Sequence, residues 1–98
     1  MNELPLSESA ISAYLDELPG WAFCDGALEK TFEFGGFREA LSFMVRVGFE
    51  AEALNHHPEW TNVYDRVTVR LRTHHAGNRV TEKDIKLARE IQRISWVG

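Results

Sequence analysis

The sequence predicts an α+β fold, a two-layer α-β-β-α-β-β-α sandwich in which helices cover one face of a four-stranded antiparallel sheet. Three observations lead to this prediction. Apolar residues recur with helical spacing in some segments, they alternate with polar residues in shorter segments, and the shorter segments come in pairs joined by turn residues. A chain of 98 residues has room for one core, so we expect residues 1–98 to form a single domain.

The first predicted helix lies in "LSESAISAYLDEL", where Ser7 is placed as the N-cap and Pro19-Gly20 ends the segment. A hairpin follows in "WAFCDGALEKTFEF", because Asp-Gly is a strong signal for a two-residue turn. In the second strand of this hairpin one face is mostly apolar, and it consists of Leu28, Lys30, Phe32 and Phe34. This alternation is typical of an antiparallel strand that is covered on one side.

Gly35 and Gly36 separate this strand from a long helix predicted in "FREALSFMVRVGFEAEAL". Helical spacing predicts that its buried stripe consists of Phe37, Leu41, Met44, Gly48 and Ala51. Asn55 is a candidate for a left-handed cap residue, and Pro58 prevents the helix from continuing.

The segment "WTNVYDRVTVRLRTHH" predicts two further strands with a tight turn around Asp65 and Arg66. A last helix is predicted to begin at Thr81 and to run through Trp96, since Thr81 and Asp84 have the spacing of a capping box. Its buried side is predicted to consist of Ile85, Leu87, Ala88, Ile91 and Ile94. The edges of an open sheet invite pairing between subunits, so we expect a homo-oligomer.

Composition narrows the classes of function. The net charge is −4 and no run of basic residues is present, which argues against a nucleic-acid surface. A single cysteine, Cys24, excludes an internal disulfide and favours a reducing compartment. No apolar run approaches the roughly 20 residues that cross a bilayer, and "MNELPLSESA" lacks the pattern of a secretion signal. We therefore expect a cytoplasmic protein without a membrane partner.

The four histidines lie at predicted ends of elements: His56 and His57 after the long helix, His74 and His75 after the last strand. If the end of that helix approaches the end of that strand, both pairs line one pocket. Histidine exchanges protons near neutral pH, so such a pocket suits general acid–base catalysis.

Three further residues are candidates for the same pocket. Glu52 lies one helical turn before His56 and is the candidate carboxylate, while Trp60 and Tyr64 could form an aromatic wall for a planar ligand. Each candidate also has an ordinary structural interpretation. Single histidines often cap helices, Glu52 fits a solvated helix face, Asp84 fits a helix start, and both aromatic rings fit simple packing.

Other chemistries have less support in the sequence. Four histidines and a glutamate could bind zinc, but no HxH, HxxxH or CxxC spacing is present, so no metal site is predicted. No glycine-rich phosphate loop leads from a strand into a helix, and the spacings allow no Ser-His-Asp assignment.

The chain resembles the pterin-4a-carbinolamine dehydratase family, also called 4a-hydroxytetrahydrobiopterin dehydratases. The resemblance covers roughly residues 7 to 96 and includes "HHPEWTNVY", "EKDIKLA" and "FMVRVGFEAEAL". Its most specific part is a spaced pattern of Glu52, His56-His57-Pro58, Tyr64, His74 and Asp84.

This resemblance implies an enzyme that dehydrates 4a-hydroxytetrahydropterin to quinonoid dihydropterin plus water. That reaction recycles the pterin cofactor of aromatic amino acid hydroxylases, so it also implies such a hydroxylase in the same pathway. Members of the family share the predicted fold, form homodimers or homotetramers, and use no metal or organic cofactor. No direct contact with nucleic acid is implied.

The resemblance also assigns roles to residues. It places His56, His57 and His74 in the active site with Glu52 as the supporting acid, and it leaves the role of Asp84 open. The substrate-contacting segments correspond to Asn55–His57 and Arg72–His75, a set that comprises Asn55, His56, His57, Arg72, Thr73, His74 and His75. Our hypothesis is that His56 and His74 form the acid/base pair, while His57 positions the pterin and Glu52 orients a histidine.

Two features depart from the family pattern. Arg79-Val80 replace a typical Gly-Leu, and Arg72 stands where a smaller residue is common, so both bear on the shape of the pocket and on the preferred pterin. Some family members bind proteins, including as dimerisation cofactors of a transcription factor. The alternative prediction is therefore a non-catalytic protein-binding module, against which the retained histidines and Glu52 argue.

Overall fold

The computed structural model describes residues 4–98 and has the predicted α+β architecture. Its elements are α1 (Glu8–Leu15), β1 (Ala22–Cys24), β2 (Ala27–Glu33), α2 (Phe37–Ala53), β3 (Glu59–Val63), β4 (Arg66–Leu71), a short 3-10 turn (His74–Ala76) and α3 (Glu82–Ile94). The strands form one antiparallel sheet in the order β1-β2-β4-β3, covered by helices on one face. This order places β4, which leads into the 3-10 turn, in the interior of the sheet.

The first hairpin confirms the turn that Asp-Gly predicts. Asp25 and Gly26 have φ values of 49° and 81°, and Cys24 pairs with Ala27 to close the turn. Both central residues of a type I′ turn need positive φ, which aspartate tolerates and glycine adopts without strain.

The predicted position of the second turn, around Asp65 and Arg66, is wrong by one residue. Val63 pairs with Arg66, so Tyr64 and Asp65 form the turn, and Tyr64 has a φ of 51°. The side-chain amide of Asn62 donates to the carbonyl oxygens of Tyr64 and Arg66 at 3.2 and 2.9 Å. These two hydrogen bonds support a turn that its own residue types, Tyr64 and Asp65, do not predict.

The core lies between the sheet and the helices. The predicted apolar face of β2 is confirmed, and β4 also turns one apolar face to the core, since the residues at most 1% exposed include Leu28, Phe32, Val67, Val69 and Leu71. On α3 the predicted residues Ile85, Leu87, Ala88 and Ile91 are also buried, whereas Ile94 is only partly buried. The helix ends at Ile94 instead of Trp96, because Ser95 already has extended backbone angles.

The buried face of α2 differs from the predicted stripe. Phe37 and Leu41 are 47% and 48% exposed, while the buried residues are Ala40, Phe43, Val47 and Ala51. The prediction was right for Ala51 and wrong for Phe37 and Leu41. Because α2 carries apolar residues around most of its circumference, two stripes satisfy the helical period. The second stripe, which we call the outer stripe, consists of Phe37, Leu41, Val45 and Phe49, and it faces solvent with exposures of 47 to 72%.

A buried cation sits on the covered face of β2. Lys30 is 9% exposed, and its ammonium group donates to the Pro19 carbonyl oxygen and to Gln92 Oε1, both at 2.8 Å. It also donates to the Gly98 carbonyl oxygen and lies 4.8 Å from the centroid of the Phe32 ring. Burial lowers the pKa of Lys30 from its usual value.

Within residues 4–98, no helix is both long and apolar enough to cross a lipid bilayer. The first three residues of the stretch considered for a secretion signal lie outside the described residues.

Candidate active site

The C-terminus of α2 fixes the backbone that leads into the two adjacent histidines. Asn55 has a φ of 51°, which confirms it as a left-handed cap residue. The backbone N–H of Asn55 donates to the Glu52 carbonyl oxygen, and that of His56 donates to the Ala51 carbonyl oxygen, both at 3.0 Å. Together these hydrogen bonds form a Schellman motif, so the backbone of His56 is held by the last turn of α2.

His56 turns towards the interior and meets a buried carboxylate. Its Nε2 atom lies 2.6 Å from Oδ1 of Asp84, and the two residues are 8% and 0% exposed. A buried carboxylate without partners would be costly, so this contact compensates the burial of Asp84. Because Asp84 belongs to the first turn of α3, the contact joins the end of α2 to the start of α3.

Asp84 has two further donors on its other oxygen. Oδ2 accepts from the backbone N–H of Thr81 at 2.9 Å and from the hydroxyl of Thr73 at 2.8 Å. The first of these contacts belongs to the capping box, which confirms that prediction. The interpretation of Asp84 as a helix-start residue was therefore correct but incomplete, since the same side chain also holds His56. The signal was its place in the same spaced pattern as His56.

His57 turns outwards and pairs with the predicted carboxylate. Its Nε2 atom lies 2.8 Å from Oε1 of Glu52, and the two side chains are 60% and 79% exposed. An exposed pair contributes about 0–1 kcal/mol, so its main effect is to orient the His57 ring. The structure thus pairs each of the adjacent histidines with a different carboxylate.

The second pair of histidines lies on the 3-10 turn after β4. Both side chains are exposed, and their ring centroids are 5.7 Å apart in an edge-to-face arrangement. Nδ1 of His74 lies 3.3 Å from Oδ1 of Asn78. Gly77, with a φ of 73°, ends the turn and returns the chain towards α3.

An open cavity of about 210 Å³ lies between the end of α2 and the 3-10 turn, and it brings the four histidines together. It is lined by Asn55, His56, His57, Arg72, Thr73, His74, His75 and Lys83. A neighbouring cavity of about 200 Å³ shares His57, Arg72 and His74 with the first. All residues of the predicted substrate-binding set therefore line one cavity, and their roles remain predictions.

Neither of these two cavities is lined by the remaining predicted residues, Glu52, Trp60, Tyr64 and Asp84. Glu52 contacts the outer side of His57, and Tyr64 is 67% exposed in the turn between β3 and β4. Trp60 is 36% exposed and its ring packs beside Gly48, where an added Cβ atom would lie 4.0 Å away. The aromatic wall is therefore not part of the cavity surface in this chain.

Lys83 also lines the cavity, although no sequence pattern predicts it as a site residue. Only its neighbour Asp84 pointed to this turn of α3. Arg72, the departure from the family pattern, pairs through Nη2 with Oε1 of Glu59 at 3.2 Å. The cavity surface therefore combines imidazole rings with two cationic side chains.

Among the described residues, no three Cys, His, Asp or Glu side chains converge on a site that could hold a metal ion. The arrangement instead offers imidazole nitrogens at the surface of a cavity, with one ring held from behind by a buried carboxylate. Such an arrangement can accept and donate protons.

A sequence profile of the pterin 4 alpha carbinolamine dehydratase family matches residues 4–94. The chain belongs to this family. A relative from Opitutus terrae, named "Putative pterin-4-alpha-carbinolamine dehydratase", is 67% identical over 93 residues, which cover 95% of this chain and 96% of the relative. A Rhizobium johnstonii relative of the same name is 50% identical over 95 residues, covering 95% and 93%.

The fold also matches a solved member. A crystal structure from Brucella melitensis, described as a transcriptional coactivator/pterin dehydratase, superposes with a TM-score of 0.88 at 44% sequence identity. The match covers 96% of this chain and 99% of that one. The relatives are therefore named as dehydratases, and the Brucella melitensis protein is in addition described as a transcriptional coactivator.

Proposed function

We propose that this protein dehydrates a 4a-hydroxytetrahydropterin to a quinonoid dihydropterin and water by histidine general acid–base catalysis. The C4a–O bond breaks, N5 loses its proton, and the electron pair of the N5–H bond forms the C4a=N5 double bond. The names of the relatives support this reaction. In the cytoplasm it would recycle the cofactor of an aromatic amino acid hydroxylase, which supplies the hydroxylated pterin.

One observation carries the proposal. His56 is held by Asp84 at 2.6 Å, and it lies at the surface of the cavity that His57 and His74 also line. A structural histidine needs no such cavity, and a surface histidine needs no buried carboxylate behind it. The combination is what proton transfer to a bound molecule requires.

The reaction needs two proton transfers, and the cavity offers two classes of histidine for them. We assign His56 and His74 as the acid/base pair, in which one protonates the leaving hydroxyl and the other accepts the N5 proton. Each transfer contributes about 10²–10⁴-fold to the rate. His57, oriented by Glu52, positions the pterin, and the rest of the predicted substrate-binding set surrounds it.

Stopped-flow absorbance of a synthetic 4a-hydroxytetrahydropterin tests the proposal. We expect the wild type to accelerate dehydration and the double variant His56→Ala/His74→Ala to lose this acceleration while keeping its circular dichroism spectrum. The matched control is Arg38→Ala/Lys86→Ala, which removes two side chains that line neither cavity. A folded, inactive wild type, or a folded and fully active histidine variant, would overturn the assignment.

A second candidate function is protein binding, which the outer stripe of α2 favours. Four large apolar side chains lie exposed along one face of this helix. Exposed apolar surfaces of this kind often mark an interface between proteins, and a second copy of the chain fits the homo-oligomer expected from the sheet edges. Light scattering coupled to gel filtration of wild type and Leu41→Ser/Phe49→Ser tests it. An oligomer lost in the variant supports an interface here, whereas a monomeric wild type contradicts the homo-oligomer.

A further inference from the structure

Behind the cavity lies a buried chain of hydroxyl groups that ends on Asp84. The hydroxyl oxygens of Thr73 and Thr81 are 2.6 Å apart, and both residues are 1% exposed. Thr73 also contacts Oδ2 of Asp84 at 2.8 Å. The Thr73 hydroxyl is thus engaged twice within the protein, although this residue lines the cavity.

The direction of these hydrogen bonds follows from groups that can only donate. The backbone N–H of Lys83 donates to the Thr81 hydroxyl oxygen at 3.3 Å, which leaves the Thr81 proton available for Thr73. The Thr73 proton is then available for Asp84. The series therefore runs from the Lys83 amide through Thr81 and Thr73 to the carboxylate, and each hydroxyl donates once and accepts once.

This series determines where the proton between Asp84 and His56 lies. Oδ2 accepts from the Thr73 hydroxyl and from the Thr81 amide, so a proton on the carboxyl group would have to occupy Oδ1. The Asp84 carboxylate thus accepts hydrogen bonds on both of its oxygens, from Thr73 and Thr81 on Oδ2 and from His56 on Oδ1. The proton shared across the 2.6 Å contact consequently belongs to Nε2 of His56.

We propose that the hydroxyls of Thr73 and Thr81 are positioning groups that keep Asp84 an ionised acceptor for Nε2–H of His56. Because the contact with Asp84 uses Nε2, Nδ1 is then the ring nitrogen of His56 that exchanges protons with the pterin. This inference rests on the proposed function for its substrate, but the tautomer of His56 can be measured without any substrate.

The first test is a spectroscopic one. Nitrogen-15 correlation spectra of ring-labelled protein, recorded at a pH where His56 is neutral, distinguish the protonated from the unprotonated ring nitrogen. We expect wild-type His56 to carry its proton on Nε2. In Thr73→Val, which removes the hydroxyl at nearly constant volume, we expect signals of the other tautomer to appear, whereas Thr73→Ser restores the wild-type pattern. Wild-type His56 protonated mainly on Nδ1 would overturn the proposal.

The second test is kinetic. Thr73→Val should lower kcat between roughly tenfold and a hundredfold, less than the loss of a whole proton transfer, and it should shift the pH profile of kcat more than it changes KM. Thr73→Ser should recover most of kcat, a rescue that a packing role of the methyl group does not predict. A folded Thr73→Val variant with wild-type kcat, pH profile and tautomer would refute the positioning role.

The two proposals fail separately. If wild type does not dehydrate the pterin but the tautomer changes in Thr73→Val, the positioning role stands and the proposed function fails. If wild type is active and the tautomer does not change in Thr73→Val, the proposed function stands and the positioning role fails.

Discussion

The backbone N–H of His56 donates to the carbonyl oxygen of Ala51, five residues earlier, at 3.0 Å. Ala51 is itself buried against the core, at 1% exposure. The position of the proposed proton-transfer ring is therefore tied to the packing of α2 through one hydrogen bond. Asn55 makes this bond geometrically available, because its left-handed backbone reverses the chain between the two residues.

The conformation of Asn55 leads to a prediction about both stability and catalysis. Asn55→Val should destabilise the protein by about 1–2 kcal/mol, since a β-branched residue is strained at a φ of 51°. Asn55→Gly should cost far less. Chemical denaturation checks the stabilities, and kcat should fall in Asn55→Val only. Equal stability of the two variants would contradict the role of the left-handed cap.

We expect the loss of Asp84 to lower kcat more than the loss of another negative charge at the same helix end does. Asp84→Asn should lower kcat by about 10²-fold, because His56 loses the carboxylate that stabilises its cation. Glu82→Gln is the matched control, since it removes a negative charge from the same turn of α3 without contacting His56. Steady-state kinetics on both variants, with circular dichroism as a check of folding, decides whether the two effects differ. Similar losses would argue for a purely structural role of Asp84.

The outer ion pair should act on substrate affinity and depend on salt. Glu52→Gln should raise KM several-fold while changing the free energy of unfolding by less than about 1 kcal/mol, because the pair with His57 is exposed. The KM difference from wild type should shrink as the salt concentration rises and screens the pair. Glu33→Gln, an exposed glutamate on β2, serves as control. A KM ratio independent of salt would contradict this assignment.

Two phenylalanines of α2 test which stripe faces the core. Phe43→Ala should destabilise by about 3–5 kcal/mol, since Phe43 is fully buried and packs on Phe32 and Phe34. Phe49→Ala removes the same side chain from a position that is 72% exposed, and it should cost less than about 0.5 kcal/mol in the monomer. Urea unfolding of both variants at low protein concentration gives the comparison. Equal losses would place the core on the other stripe.

Lys30 predicts a stability difference that changes at alkaline pH. Its folded pKa is lowered by burial, so between that pKa and the usual value near 10.5 the unfolded chain binds more protons than the folded one. Stability relative to Lys30→Met should therefore rise as pH increases through this window. Tyr14, whose pKa is raised mainly by its hydrogen bond to Glu82, titrates in both proteins and cancels.

Denaturation curves at several pH values up to about 10.5 measure the effect. Lys86→Met, at an exposed position of α3, is the matched control, and its difference from wild type should stay flat. A difference for Lys30→Met that stays flat or falls would contradict the shifted pKa.

Local patterns predict the parts of this fold that local forces determine. The Asp25-Gly26 turn, the alternation along β2 and β4, and the Thr81 cap follow from the preferences of neighbouring residues. The buried face of α2 does not, because two apolar stripes compete and only packing against the sheet selects one. The Tyr64 turn depends on the side chain of Asn62, which residue preferences do not reveal.

The same distinction applies to the candidate site. The histidines, Glu52 and the segments around them were predicted, because a spaced pattern identifies residues without needing their contacts. The pairing of His56 with Asp84 joins positions 28 residues apart, and no local rule connects them. Tyr64 belongs to the same pattern and Trp60 lies in the matching stretch around it, but both lie outside the two cavities. A sequence pattern does not distinguish residues that line a site from residues that pack beside it.

The contact between His56 and Asp84 would make the proposed dehydratase activity a reporter of folding. Its two halves come from the end of one helix and the start of another, so the site exists only while α3 is seated on the rest of the protein. Partial opening of α3 would abolish catalysis before the sheet unfolds. Heat inactivation followed by enzyme assay would then record the detachment of a single helix, at a lower temperature than the loss of the whole structure.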